Sequence, residues 1–523
     1  MKNCLPGMIN ACILCIYPYN ISIWWVLEDR HRCTHFPPGP ARLPLLGSLL
    51  TILRQSNLPA LALAKLAKIY GDVMYAKMGM MEAVVFSSHD AAKEIINHEK
   101  VNDRVIAGFI ADRNMHQNMG VIFSVGDLWQ TLRRFTIRTL RDFGFGKTAS
   151  MDIVINEELT KFLGYFNKKF NSSRTNQQQH RIMVISPELF DLSTTNVLWR
   201  LVTGKSYELG NTRLKHLLKL SHKYVSAATN GGDISFTFPL LCDWFPEWTG
   251  RNRQNKYIQK ICQFLRETIN EHRQIDSYAG DPQSFIDVFL AKIDENPKDP
   301  IFNDDQLIYT LLDLFQAGAD TSSNTLAFAL LFLTLNPDKQ AKFHEELDAV
   351  LPTDGVITAE MKSKLPYCTA TLFEVLRFSS LAPLSPNREA AEDFKLRNFI
   401  IKKGTSIVIN LQAIHFDENV WKDPQVFRPE RFLTKDGEVD KALAFHCDKA
   451  MTDLLVGFGG GRRVCVGQQL AETSILMYLT TFFRYFKIER LAADQEKLTP
   501  SLVPVLGLAY SPRPFEAKVI RRG

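Results

Sequence analysis

The segment Phe458–Ala471, FGGGRRVCVGQQLA, constrains this chain more than any other stretch. Three consecutive glycines permit tight turning and close approach of backbone to a ligand. Cys465 stands just before a helical run that begins near Val466 or Gly467. Backbone N–H groups at such a helix start point toward the sulfur and favour thiolate over thiol, the state a metal-bound sulfur requires. Arg463, two residues earlier, can pair with an anionic group on a bound cofactor. A blander reading also fits: a glycine turn holding a buried cysteine.

The rest of the composition narrows the setting. A chain of 523 residues with 46% apolar and 23% charged side chains is an ordinary globular protein with ample core. A net charge of +6 gives no support to nucleic-acid binding unless it gathers on one face. The nine cysteines (4, 12, 15, 33, 242, 262, 368, 447 and 465) are odd in number and irregular in spacing, a poor disulfide framework. Cys12 and Cys15 have CxxC spacing but lie in an apolar run with no second ligand pair.

That apolar run, Leu5–Leu27, is uncharged and long enough to cross a membrane, although Asn10, Pro18 and Asn20 weaken it as a helix. Trp24 and Trp25 suit an interfacial girdle. A cleaved secretory signal competes, but no clear small-residue cleavage site precedes the prolines of PPGPARLP, Pro37–Pro44. The expected organisation is therefore an N-terminal membrane anchor (1–30), a Pro-rich hinge (31–47) and a single catalytic domain (48–523).

Within that domain helical signals dominate and sheet is minor, a mainly α class with minor β (α+β). Gly71–Ser88 alternates as a β-hairpin, and Ser88 and Asp90 can cap the helix that follows. PLLCDWFPEW, Pro239–Trp248, is expected as an aromatic loop, either core or a second patch touching membrane. Phe302–Leu335 is one long apolar helix containing AGADTSSNT, and Thr405–His415 carries a strand signal.

Three further pairings stand out. Ala317–Thr321, AGADT, places an acid and a hydroxyl in an apolar helix; Thr321 bonding back to a carbonyl, with Asp320 capping or facing water, would be an innocent kink. Glu374 and Arg377 are i,i+3 neighbours among Phe373, Leu376 and Phe378, where a surface ion pair would contribute little. Trp129 and Arg133 are i,i+4 neighbours leading into Arg134, Arg138, Arg141 and Lys147, which could equally be a solvated face.

Taken together, these segments resemble the cytochrome P450 superfamily, in particular its microsomal family 2 type, from the PPGP hinge to PRPF at Pro512–Phe515. Phe458, Gly461, Arg463, Cys465 and Gly467 match the haem-binding signature. The resemblance implies the P450 fold, with a long central helix over the haem and a small β-rich lobe. It implies haem b with Cys465 as the iron's thiolate ligand, which favours O–O cleavage. Phe458 would pack beside the sulfur, and Arg463, Trp129 and Arg133 would meet propionates. Ala317 and Gly318 would leave room for dioxygen, and Asp320 and Thr321 would deliver protons. Glu374, Arg377 and Arg431 of PERF would form the structural trio. The family often has His-Arg after a proline where this chain has Pro386, Asn387 and Arg388; Asn387 can still donate a hydrogen bond but carries no charge.

By family position the substrate pocket would include Phe109, Ile110, Phe315, Ala317, Leu384, Val505 and Leu506. The activity implied is insertion of one atom of O2 into a lipophilic substrate, whether steroid, fatty acid or xenobiotic. Electrons would come from NADPH–cytochrome P450 reductase, with cytochrome b5 as an optional second donor, since the chain has no convincing nucleotide-binding unit of its own. The implied place is the endoplasmic reticulum membrane, with the domain facing the cytosol and Asn171 unglycosylated. A reductase-independent isomerase or dehydratase fits less well because the acid–Thr pair is kept. A haem carrier would have no use for a proton relay or a basic donor face.

Overall fold

The longest helix begins where Asn303 accepts a hydrogen bond from the Gln306 N–H, and it ends at Asn336 before Pro337. In the computed structural model it runs unbroken over Asp304–Leu335, about 48 Å at 1.5 Å per residue, and most of its side chains are buried on every face. The structure describes residues 36–145, 148–172, 180–227, 234–274, 278, 280–351, 357–435, 445–492, 494 and 496–522. The expected anchor and Cys4, Cys12, Cys15 and Cys33 lie outside these residues. Among them, no helix is long and apolar enough to cross a membrane.

The principal helices are α1 Leu49–Gln55, α2 Pro59–Tyr70, α3 His89–Ile96, α4 Gly108–Arg113, α5 Gly126–Asp142, α6 Thr148–Ser172, α7 Asp191–Thr203, α8 Thr212–Ala227, α9 Arg251–Arg273, α10 Phe285–Glu295, α11 Asp304–Leu335, α12 Pro337–Val350, α13 Pro366–Ser379 and α14 Gln468–Tyr485. A single large apolar core joins α6, α7, α8, α9, α11, α13 and α14. Gly318 of α11 faces Leu198 of α7: a Cβ there would come within 2.7 Å of the Leu198 Cδ2.

The sheet is small, as the sequence implied. Strands β1 Val73–Met78 and β2 Met81–Phe86 form the expected hairpin, pairing Val73 with Phe86 and Met78 with Met81. The Ser88 side chain caps α3 by accepting from the Ala91 N–H. Strands β3 Asp103–Arg104, β5 Arg388–Glu389 and β6 Ser406–Ile409 complete a sheet of order β1-β2-β6-β5-β3, with β6 parallel to β2. In a second sheet β4 His180–Ile185, which sequence reasoning passed over, pairs with β8 Phe515–Arg521; β8 also pairs with β7 Phe486–Glu489. The strand signal at Thr405–His415 holds only to Ile409. There Asn410 accepts from the Ala413 N–H and turns the chain into a short helix, Leu411–His415. Pro239–Trp248 is not a simple loop: Pro239–Trp244 is helical with Cys242 buried, while Leu240, Trp244, Phe245 and Trp248 are exposed.

Candidate haem-thiolate site

The loop before α14 is a hairpin closed by the Cys465 N–H donating to the Phe458 carbonyl at 2.9 Å. Gly459 and Gly461 take φ of 72° and 62°, in the left-handed region that favours glycine. A Cβ on Gly461 would lie 2.5 Å from the Ile96 carbonyl oxygen. The close backbone approach is therefore made to the end of α3, which seats the loop against the sheet-side lobe. Gly467 is the N-cap residue of α14, beside the sulfur.

Cys465 is solvent-reachable yet surrounded at longer range by protein, which places its thiol at the bottom of a recess. Burial pushes this thiol up; the Gly467 amide, Arg133 and the Gln468 amide pull it down, and the net direction is up. The helix start alone does not make a thiolate. A bound cation at the sulfur would deprotonate it outright.

Above the loop four guanidiniums converge. Arg463 donates to the carbonyls of Asn102 (2.7 Å), Ile122 (3.3 Å) and Ser124 (2.7 Å), and Arg104 donates to the same Ile122 carbonyl at 3.3 Å and to Pro386 at 2.6 Å. Arg133 donates to Val464 at 2.5 Å, and Arg388 to Ile96 and Gly460, each at 3.0 Å. Among the described residues none of the four is ion-paired to a carboxylate. Burial, then the neighbouring cation Arg104, lower Arg463 to about 8, with Asp103 opposing only in part. Burial and its cationic neighbours lower Arg104 to about 9, and burial lowers Arg388 to about 10. The indole Nε1 of Trp129, under Arg463, is buried without a hydrogen-bond partner.

Packed cations and an orphaned donor fit a dianionic ligand, as two haem propionates are, above a thiol that can ligate iron. Sequence reasoning found Arg463, Arg133 and Trp129 but missed Arg104, which sits in a two-residue strand with no spacing motif, and gave Arg388 no role. Asn387 donates to the Met81 sulfur at 3.7 Å, a weak contact outside the arginine cluster.

On α11, Ala317 is exposed between the half-buried Gln316 and Gly318, so this part of an otherwise largely buried helix is open to solvent. The Thr321 hydroxyl donates to the Ala317 carbonyl at 2.9 Å. Gly318 beside it is half-buried, and a Cβ there would point toward Leu198 of α7. Asp320 neither caps nor faces water. It is 6% exposed, and its Oδ1 lies 2.7 Å from Nδ1 of His222 on α8. Sequence reasoning missed His222 because only packing brings α8 to α11.

Glu374 and Arg377 are fully buried, joined by bonds of 2.7 and 2.8 Å, and Arg431 reaches Glu374 at 3.1 Å. Arg377 also donates to the carbonyls of His415 and Pro424, so the trio pins the irregular segment before the cysteine loop. It is no surface pair.

The seven pocket residues do not share one setting. Phe109 and Ile110 are buried on α4, Phe109 edge-on to Tyr224 and Phe236. Phe315 packs against Trp199 of α7, with ring centres 5.6 Å apart. Leu384 packs on the sheet-side cluster, Leu506 on the main core, and Val505 is exposed and bridges to Ser511. Arg134, Arg138 and Arg141 form an exposed face on α5, while Lys147 lies outside the described residues.

The family model described as Cytochrome P450 matches residues 37–519. Over 97% of each chain, the sequence is 31% identical to farnesoate epoxidase of Bombyx mori. It is 31% identical to cytochrome P450 2F5 of Gorilla gorilla gorilla over 92% of this chain and 93% of the relative. To cytochrome P450 2U1 of Mus musculus it is 29% identical over 98% and 95%.

Proposed function

Because the chain belongs to the cytochrome P450 family and is a haem-thiolate monooxygenase, we propose that it oxygenates a lipophilic substrate with electrons from NADPH–cytochrome P450 reductase. The observation that carries the site assignment is the reachable Cys465 thiol beside a cluster of three buried arginines (Arg104, Arg388, Arg463) and the half-buried Arg133, none paired to a carboxylate among the described residues. Haem b bound there would supply oxygen activation, with thiolate donation favouring O–O cleavage. Cys465 would ligate the iron, and Arg463, Arg104, Arg133 and Trp129 would hold the propionates.

The chain's own residues do the remaining work. Two protons accompany the two electrons as one oxygen atom leaves in water. Thr321 positions a proton donor from its station on the Ala317 carbonyl, and Asp320 links it to the proton supply. The bulky apolar side chains on α4 favour a lipophilic substrate. Steroids, fatty acids and xenobiotics form the test panel, together with an isoprenoid acid of the kind named for the silkworm relative.

The exposed Arg134, Arg138 and Arg141 would receive an acidic electron donor, either the reductase or cytochrome b5. Exposed Leu240, Trp244, Phe245 and Trp248 are suited to a membrane boundary and support residence on the endoplasmic reticulum membrane, domain in the cytosol. The test is the Soret band of the reduced carbon monoxide complex, followed by reductase-dependent NADPH consumption across the panel. A thiolate-type band lost in Cys465→Ser is expected; a histidine-type band would overturn the assignment.

A further inference from the structure

His222 lies between two carboxylates that belong to different helices. Its Nε2 meets Asp191 Oδ2 of α7 at 2.9 Å, and its Nδ1 approaches Asp320 Oδ1 of α11 at 2.7 Å. The second approach lies off the axis of a linear hydrogen bond and is an ion contact. Asp191 is 5% and Asp320 6% exposed, whereas the His222 side chain is 31% exposed. The α8 imidazole is thus the half-open member of a chain that runs from the surface to the acid beside Thr321. Burial works against charge on the ring, but Asp191 and Asp320 outweigh it and hold it up to about 11. Among the described residues Asp191 and Asp320 are the principal charged groups that act on it.

An isolated carboxylate this deep in an apolar helix would lose its charge. Asp320 has no other cation in contact among the described residues. We propose that His222, aligned by Asp191, is a positioning residue for oxygen activation: its imidazolium keeps Asp320 ionised and fixes the direction in which that carboxylate faces. This rests on the reading of Asp320 as the link to the proton supply. The role lies outside the recess, since His222 contacts α7 and α11 and not the cysteine loop. Asp191 has a specific share, because its grip on Nε2 leaves Nδ1 as the nitrogen that addresses Asp320.

The experiment compares native holoenzyme with His222→Gln, Asp320→Asn and the double variant. In the native protein the product formed per NADPH should change little between about pH 6 and 8. In His222→Gln it should fall as the pH is lowered, with the midpoint moved up by about 1–3 units, because the unpaired carboxylate then takes up a proton. Infrared difference spectra of the resting protein give a readout free of turnover. A protonated carboxyl band should appear in His222→Gln and vanish in the double variant. As a check needing no His222 variant, nitrogen-15 NMR of the reduced carbon monoxide form should show the native ring charged at pH 7.5 and its proton less tightly held in Asp320→Asn. A neutral native ring, or a His222→Gln protein with native pH profile and no new band, overturns the proposal. If Asp320→Asn itself leaves coupling unchanged, the proton-link reading fails, while the band still decides whether His222 controls the charge of Asp320.

Discussion

The guanidinium of Arg463 lies 3.6 Å above the centre of the Trp129 ring, so a residue of the cysteine loop is clamped to the face of a residue on α5. The ring spreads favourable electrostatics under the cation, and three backbone carbonyls fix its plane. Trp129 therefore has two tasks, stacking and presenting an indole N–H with no protein partner. Trp129→Phe keeps most of the stacking and removes that donor. Haem retention should weaken by about 1–3 kcal/mol, read as faster transfer of haem to an acceptor protein at unchanged fold.

Glu374 is buried between Arg377 and Arg431. Replacing Glu374 with Ala leaves two guanidiniums without their counter-charge and should destabilise the protein by about 3–5 kcal/mol. Thermal unfolding and the yield of haem-containing protein would show it. Stability within 1 kcal/mol of native, roughly the worth of an exposed pair, would mean that the trio does not carry the segment it holds.

Thr321→Ala removes the hydroxyl on the Ala317 carbonyl but leaves the helix and its charged neighbours intact. NADPH consumption should continue, product formation should drop by on the order of 10²-fold, and peroxide should account for the difference. A ratio of product to peroxide equal to native would remove Thr321 from proton delivery.

His415 is wholly buried, and burial followed by the Arg377 cation holds it down to about 3, against 6.5 in an open chain. It is therefore neutral in the folded protein. Below pH 6.5 the unfolded chain binds one more proton than the native one at this site. Stability should fall as the pH drops from 6.5 toward 3, by about 1.4 kcal/mol per unit from this residue. Urea unfolding between pH 6.5 and 4 measures the slope, and His415→Gln should flatten it by that amount.

Local chemistry explains which parts of this molecule were legible beforehand. The β1–β2 hairpin, the Ser88 cap and the long α11 follow from period-2 and helical patterning and from a short polar side chain at a helix start. Glu374 and Arg377 were visible as i,i+3 neighbours, but their complete burial was not, because it depends on Arg431 and on carbonyls more than thirty residues away. Sequence distance hid β4 as well, since its partner β8 lies near the other end of the chain. The strand expected to reach His415 stopped at Ile409 because the Asn410 side chain competed successfully for a backbone N–H.

By itself the sequence determined the family, the helical class and the cysteine that stands at the start of α14, because these are written in contiguous residue types and short spacings. Tertiary structure decided the surroundings of those residues. It put Arg104 and Arg388 beside Arg463, turned Gly318 toward Leu198, and set His222 between Asp191 and Asp320. The physical reason is that charge balance and close packing depend on which side chains meet in space. Those meetings are made between helices and strands far apart along the chain, where no local pattern records them.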